Sequence, residues 1–536
     1  MSDYSFAQAW NTVAELAGDR IAIACGTRRL TYCEFRDRAH AVASILDDAG
    51  LNAGDKVAIE LVNTPEYLEV FYGALLLGCV PVNVNYRYVG QELAYLLDNS
   101  DAKALIFHDD FAATVRDALQ LLAPESQPAV VAMVDHVGTE TLVSGAVNYE
   151  KLIANANTSF TPSHSPSGDD LMFLYTGGTT GYPKAVMWRC DDLYRALWQM
   201  SRPGTEPPQV QDTLRKGRAA ATALPACPLM HGTGLFIALS TLSGGGKVVL
   251  IDSQRLDAQR TWDEVEREEV AALTIVGDAF ARPLIEALDA HPHRWNLATL
   301  RAITSSGVTW SPECKRALMA HLPGVVMIDS LGASEGVMTR NESRSGDDIQ
   351  AASFKLSEKI AVIADDETLI TPGDTRVGMV GVGGPIPLGY YKDPDKTAKT
   401  FRTVQGTRYS IPGDYATVGQ DGTLTLLGRG SACINSGGEK LYPEEIELAI
   451  RSHVQVTDCV VVGVPDDRWG EKAVAVVVVA GEISSAILRS YCRSILAGYK
   501  VPKHFVMVDT MQRSPSGKAD YALLRTVVTQ SLEGVL

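Results

Sequence analysis

Residues 175–185, Tyr-Thr-Gly-Gly-Thr-Thr-Gly-Tyr-Pro-Lys-Ala, bring together three glycines (Gly177, Gly178, Gly181), three threonines (Thr176, Thr179, Thr180) and one lysine, Lys184. Glycines let the backbone approach an anion closely and turn its N–H groups inward. The hydroxyls donate further hydrogen bonds, and Lys184 brings a positive charge. The simplest ligand is a polyphosphate. This is not the Gly-Lys-Ser/Thr loop of the common nucleotide hydrolases. Tyr182 and Pro183 separate Gly181 from Lys184, and Pro183 keeps the residue before it out of helix. A plain Gly/Thr surface loop is the alternative reading of the same composition.

Four other stretches carry chemistry-bearing side chains. Asp329-Ser-Leu-Gly-Ala-Ser-Glu-Gly336 follows an apolar run. Glu335 beside Ser334 could hold Mg²⁺ through carboxylate and hydroxyl oxygens, although a Ser-Glu pair after a strand, taken alone, is more often a helix cap. Pro412-Gly-Asp414 is a turn whose carboxylate could accept hydrogen bonds from both ribose hydroxyls; in isolation Asp414 is a turn residue. His231 opens a Gly-rich turn, His-Gly-Thr-Gly234, where a lone histidine is as readily structural. Arg513-Ser-Pro-Ser-Gly-Lys518 is a tight loop with one lysine, which composition alone assigns to an exposed turn.

The elements around these stretches alternate. Leu171–Leu174 reads as a buried strand, and a helix can begin near Asp191. Before it, 29–32, 55–61, 80–84, 103–107 and 129–134 read as strands, with an amphipathic helix over 33–49. Thr64 can cap a helix with Pro65 in its first position and Glu66 in its first turn. After it, strands at 247–251, 270–276, 300–304 and 325–329 alternate with helices at 257–267, 278–290 and 311–321. Such alternation predicts an α/β fold with mostly parallel sheets, and it places ligand loops at the carboxyl ends of strands. Residues 202–217 form a polar, Pro-rich insertion expected to be a solvated loop. From 358 the texture changes to short strands and turns, a β-rich subdomain. A break at Gly428-Arg429-Gly430-Ser431 separates a large domain, 1–430, from a small α+β domain, 431–536, which is expected to be mobile.

Bulk properties narrow the function. The chain has 536 residues, enough for two to four domains or subdomains. Its net charge of −16 argues against non-specific nucleic-acid binding. Nine scattered cysteines without Cys-x-x-Cys spacing argue against a disulfide framework or structural zinc and read as reduced thiols of a cytoplasmic protein. No apolar stretch reaches the length of a transmembrane segment. A homodimer is allowed by the sequence and not specified by it.

The order of glycines, threonines, Pro183 and Lys184 resembles the phosphate loop of the adenylate-forming family, which includes acyl-CoA synthetases, peptide-synthetase adenylation domains and beetle luciferases. The resemblance runs from about residue 8 to 525, with motifs in the family order. Gly178 and Ala185 stand where serine and glycine are common in it. It implies that Ser334 touches phosphate or metal and that Glu335 binds Mg²⁺. Leu331, beside Gly332, replaces an aromatic residue and leaves apolar contact with adenine. Ser305, Ser306 and Gly307 match the other adenine-side loop. By the same resemblance Asp414 and Arg429 bind ribose, and His231 stands between acyl pocket and phosphates. Ser431 is the hinge position, and Ala432 follows it where Asp is common. Gly437 and Gly438 line a pantetheine tunnel beside Lys440, and Lys518 is the catalytic lysine. Residues 277–284 and 434–438 resemble actinobacterial fatty-acid and steroid-side-chain CoA ligases.

The resemblance therefore implies an enzyme, an acyl-CoA synthetase using ATP, Mg²⁺ and CoA, that forms acyl-CoA, AMP and pyrophosphate through an acyl-adenylate. No acid in His231-Gly-Thr-Gly-Leu-Phe236 would hold a substrate amino group, which favours a plain carboxylic acid over an amino acid; the likeness to the CoA ligases implies a fatty or steroid-side-chain acid, and an aryl acid is left open. Transfer to a carrier-protein thiol, and a non-catalytic acyl or nucleotide sensor, are the alternatives. Joint presence of Lys184, Glu335, Asp414, Arg429 and Lys518 argues against the sensor.

Overall fold

The computed structural model describes the chain apart from residues 1–2, 136–142, 179–180, 309, 351–352, 431–432, 437–438, 467–469, 512, 514–518, 533 and 535–536. Thr179, Thr180, Ser431, Gly437, Gly438 and Lys518 thus lie outside the described residues.

Two eight-stranded sheets form the N-terminal part. One runs Gly389–Tyr390, Gly181–Arg189, Leu171–Gly178, Val80–Asn83, Lys56–Glu60, Ala102–His108, Val130–Val134, Val147–Asn148. Its neighbours are parallel from Leu171–Gly178 onward, and the first two strands join antiparallel. The other runs Gly336–Ser343, Val326–Ala333, Ala302–Ser306, Ala272–Ile275, Ala223–Pro225, Val248–Leu250, Ile21–Cys25, Arg28–Thr31, and is antiparallel only at its two ends. Parallel strands covered on both faces explain the continuous apolar runs in the sequence.

The helix Pro65–Leu76 is buried along its whole length. It belongs to a core cluster that also holds Ala22, Ile23 and Val248 of one sheet and Val57, Ile59 and Ala104 of the other. A buried carboxylate that stays charged must be paired, and two on this helix are. Glu66 meets Arg28, and Glu69 accepts from Arg38 Nε at 2.7 Å and from Tyr149 OH at 2.9 Å. Pro65 is the first helical residue, as expected, but Thr64 makes no side-chain cap hydrogen bond.

A third, antiparallel sheet holds Ser353–Lys355, Thr423–Arg429, Asp414–Val418, Gly378–Val382, Thr407–Ser410 and Phe401–Val404, with Ile360–Ile363 beside Gly378–Val382. The fourth comprises Glu439–Leu441, Ile434–Ser436, Gly470–Val479, Val456–Asp466 and His504–Met507, with helices Pro443–Arg451, Ser485–Ile495 and Tyr521–Leu532. It has its own core, including Ile434, Ile446, Val461, Val477, Leu488 and Phe505. The fold is α/β, with a large N-terminal domain, a β-rich subdomain and a smaller C-terminal domain of sheet and helices.

The 202–217 insertion is not wholly a solvated loop. It contains the helix Val210–Arg215, and Tyr4 OH donates to Pro207 O at 2.5 Å, so part of it packs on the N-terminus. All nine cysteines are free. Among the described residues no helix is long and apolar enough to cross a membrane.

Candidate active site

The Gly/Thr stretch closes a hairpin. Strand Leu171–Gly178 turns back into Gly181–Arg189, with Gly178 opposite Gly181 and Thr176 opposite Lys184. The register shifts between those pairs, so Tyr182 and Pro183 stand on a bulge. A proline fits there because a bulge residue need not donate to the ladder. The second strand was not legible in the sequence. It forms because Val186 and Trp188 bury on the core while the backbone pairs on both sides. Tyr182 stacks on Tyr95, ring centroids 4.3 Å apart. Lys184 forms an ion pair with Asp393, whose carboxyl its hydrogen bond holds below the usual range.

Asn83 fixes the base of this hairpin. It accepts from Tyr175 N at 2.6 Å and donates to Tyr175 O at 3.2 Å and Met230 O at 2.7 Å. Met230 precedes His231, which occupies the N-cap of the helix Gly232–Ser243. A Cβ at Gly232 would lie 3.4 Å from Leu174 of the strand Leu171–Gly178. At Gly234 it would meet the backbone oxygens of Pro228 and Cys227 at 2.6 and 2.8 Å, so only glycine lets this helix begin there.

Ser305 and Ser306 end the strand Ala302–Ser306. Ser305 is buried, and its hydroxyl accepts from Gly277 N at 2.8 Å, so it braces the start of the helix Gly277–Ala290. Gly307 has φ +93°, and a Cβ there would lie 3.9 Å from Thr233 Oγ1, beside the His231 turn. The strand after Val326 runs past Asp329 to Ala333, and Ser334-Glu335 is the two-residue turn of a hairpin rather than a helix cap. Leu331 is half-buried, and Gly332 sits close under Gly336 O. Trp188 Nε1 donates to Ser334 O at 2.8 Å, and Ser410 Oγ donates to Glu335 O at 2.6 Å. The turn is therefore pinned between the Gly178/Gly181 hairpin and the third sheet. Tyr390 OH donates to Glu335 Oε1 at 2.6 Å, the one hydrogen bond to this carboxylate among the described residues. A buried carboxylate with an oxygen to spare fits a hard cation, which takes one or two carboxylates plus phosphate and water.

Asp414 and Arg429 stand directly opposite each other on paired strands, Asp414–Val418 and Thr423–Arg429. The two ribose candidates are thus adjacent in space though 15 positions apart in sequence. Lys440 pairs with Asn435 in the fourth sheet. Beyond the strand's end, Tyr442 lies against Tyr415, ring centroids 5.6 Å apart. Arg513 and Ala519 bridge across the loop that contains Lys518, and Arg513 donates from Nε and Nη2 to Asp458 at 2.7 Å. The structure thus gathers the 176–184 hairpin, the 231–234 turn, the 305–307 loop and the 331–335 turn. Sequence reading missed Asn83, Trp188, Tyr390, Asp393 and Ser410. None carries a local signal except Asp393-Pro394, the N-cap and first residue of the helix Pro394–Thr400.

Residues 10–391 match the AMP-binding enzyme family, and 445–518 match the AMP-binding enzyme C-terminal domain. The chain belongs to this family. It is an AMP-forming acid–thiol ligase. It is 38% identical over 534 residues to the 3-oxocholest-4-en-26-oate–CoA ligase of Rhodococcus rhodochrous, covering 95% of this chain and 93% of that one. It is 39% identical over 518 residues to the medium/long-chain-fatty-acid–CoA/3-oxocholest-4-en-26-oate–CoA ligase of Mycobacterium tuberculosis H37Rv, covering 94% and 92%. The crystal structure of an anthranilate CoA ligase in complex with anthranoyl-AMP superposes with a TM-score of 0.82 over 98% of this chain and 97% of that one, at 21% identity. That last likeness concerns the fold.

Proposed function

We propose that this ligase activates a fatty or steroid-side-chain carboxylic acid with ATP and passes the acyl group to CoA. The carrying observation is the pinning of the Glu335 turn to the Lys184 hairpin through Trp188 and Tyr390, at the strand ends where an α/β fold binds ligands. The acid class follows the two relatives, each matched over nearly its whole length.

In the first step the substrate carboxylate oxygen attacks the α-phosphorus of ATP, and pyrophosphate leaves with its electron pair. The 176–184 hairpin holds the departing phosphates through backbone N–H groups, threonine hydroxyls and Lys184. Such fixed donors stabilise charge that develops in the transition state. Glu335, with Ser334, would hold Mg²⁺, which when bound neutralises phosphate charge. Asp414 and Arg429 bind the ribose, Leu331 and residues 305–307 flank the adenine, and His231 stands at the acyl carbonyl. Lys518 bridges carboxylate and α-phosphate and fixes their approach. In the second step the CoA thiol, losing its proton, attacks the acyl carbonyl, and AMP leaves. We place the domain boundary at Gly430/Ser431, with the C-terminal domain turning about Ser431 so that Gly437, Gly438 and Lys440 admit the thiol arm. The reduced cysteines fit a cytoplasmic enzyme.

The test is pyrophosphate release with ATP and Mg²⁺ across medium-chain, long-chain, aryl and steroid-side-chain acids, each with and without CoA. Multiple turnovers that need CoA on the fatty or steroid acids are expected. Turnover confined to aryl acids would overturn the substrate assignment. Release stopping near one equivalent with CoA present would overturn the acceptor.

A further inference from the structure

The two charged side chains assigned to nucleotide and cation are held by one short turn. Gly389–Tyr390 pairs with the phosphate hairpin, Tyr390 opposite Val186, and Tyr391 N donates to Ala185 O at 2.9 Å. From this strand Tyr390, 4% exposed, donates to the buried Glu335 carboxylate. Three residues later the Asp393 carboxylate meets Lys184. The turn is itself rigidly built. Tyr390 N donates to Thr397 Oγ1 at 2.9 Å, Thr397 Oγ1 donates to Asp393 O at 2.7 Å, and Lys396 N donates to Asp393 Oδ1 at 2.9 Å. The Lys396 ammonium lies over the Tyr390 ring, 4.5 Å from its centroid. Tyr391 OH and Lys392 Nζ anchor the far side on Asp101 at 2.7 and 2.8 Å.

We propose that Tyr390 is a positioning residue that aims Glu335 for the cation, and that Asp393 is an internal anion that holds Lys184 until phosphate displaces it. The proposal rests on the phosphate and cation roles given above to Lys184 and Glu335. Tyr390 restrains one carboxylate oxygen and so aims the other. Without that bond a carboxylate of this burial would swing toward whichever donor is near, and outer-shell partners of this kind govern metal affinity. Asp393 acts differently. It occupies the ammonium that a phosphate oxygen must reach, so it is an internal stand-in anion. It also leaves a negative charge next to the incoming phosphate, and like charges at such separations repel.

Opposite signs follow for the two substitutions. Binding is measured by calorimetry with ATP and Mg²⁺ in the absence of acid and CoA, so that no turnover is read. Tyr390→Phe should raise the Mg²⁺ concentration for half-saturation at fixed ATP by about tenfold or more. Asp393→Asn should tighten ATP binding by about 3- to 10-fold, an effect that shrinks as salt is raised. Asp393→Glu keeps the charge and should restore the wild-type affinity. A Tyr390→Phe enzyme with unmoved Mg²⁺ dependence, or an Asp393→Asn enzyme that binds ATP more weakly, overturns the proposal. If Tyr390→Phe fails to fold, the sign of the Asp393→Asn effect alone decides. Wild-type protein that binds no ATP with Mg²⁺ would instead sink the nucleotide roles on which the proposal rests.

Discussion

Asn83 should matter more than its position at a strand end suggests. The strands Val80–Asn83 and Leu171–Gly178 share a single register pair, Val82 with Phe173. No further register pair follows it, and there the Asn83 amide takes both the N–H and the C=O of Tyr175. Its third bond, to Met230 O, ties the phosphate strand to the His231 turn. Asn83→Leu preserves volume and removes all three. It strands one buried N–H and two carbonyl groups. The N–H, bonded at 2.6 Å, should cost most, while the carbonyls keep a second lone pair and cost less. At roughly 1–3 kcal/mol per stranded group, and with the weaker 3.2 Å bond counted low, the total is about 3–5 kcal/mol. Urea unfolding followed by tryptophan fluorescence measures it. In a chain with several domains the first transition, compared at constant slope, is the quantity to use. The KM for ATP should rise more than the KM for the acid, because the phosphate hairpin loses its base. A first transition within about 1 kcal/mol of wild type, with an unchanged KM for ATP, would refute the argument that these three bonds hold the hairpin at its base.

Two further predictions concern buried charge. Lys315, whose side chain is wholly buried, donates at 2.5 Å to Oδ2 of Asp329 on the strand Val326–Ala333. Lys315→Met should cost about 3–5 kcal/mol because Asp329 is left charged and unpaired, and adding Asp329→Asn should recover most of the loss, both read from urea midpoints. Glu60 is fully buried, neither of its oxygens has a hydrogen-bond partner among the described residues, and burial holds its carboxyl well above the usual range. The native state keeps this proton where the unfolded chain has lost it, so this group's effect is that stability falls as pH rises above the unfolded value of about 4.3 toward the raised native one. Glu60→Gln cannot ionise. Its stability advantage over wild type should therefore grow between about pH 5 and pH 8; an advantage independent of pH would count against an ionising Glu60.

Much of the architecture was legible because it is local. Strands such as Lys56–Glu60 and Val130–Val134 announce themselves by apolar runs, and Pro65, Pro312 and Pro443 mark helix starts by removing an N–H that needs no partner there. The hairpin strand Gly181–Arg189 was not legible. Its glycine and proline carry no strand preference, and only pairing with Leu171–Gly178 and Gly389–Tyr390 makes it one. Ser334-Glu335 could be taken for a helix cap because nothing near it shows that Gly336–Ser343 returns along the preceding strand. Glu66 and Glu69 look like a solvent face until Arg28 and Arg38, distant in sequence, neutralise them inside the core.

By itself the sequence determined the chemistry available to this protein. The glycines and threonines of 176–181, Lys184, Glu335, Asp414, Arg429 and Lys518 appear in an order that a family resemblance can read, because side-chain type and spacing along the chain are sequence properties. Only the tertiary structure decided which residues hold the candidate site groups. Asp393 reaches Lys184 across 209 positions, Tyr390 reaches Glu335 across 55, and Asn83 reaches Met230 across 147. The reason is physical: a buried charge or an unpaired backbone group must be satisfied by whatever the fold brings beside it, and spacing along the chain does not encode that neighbour.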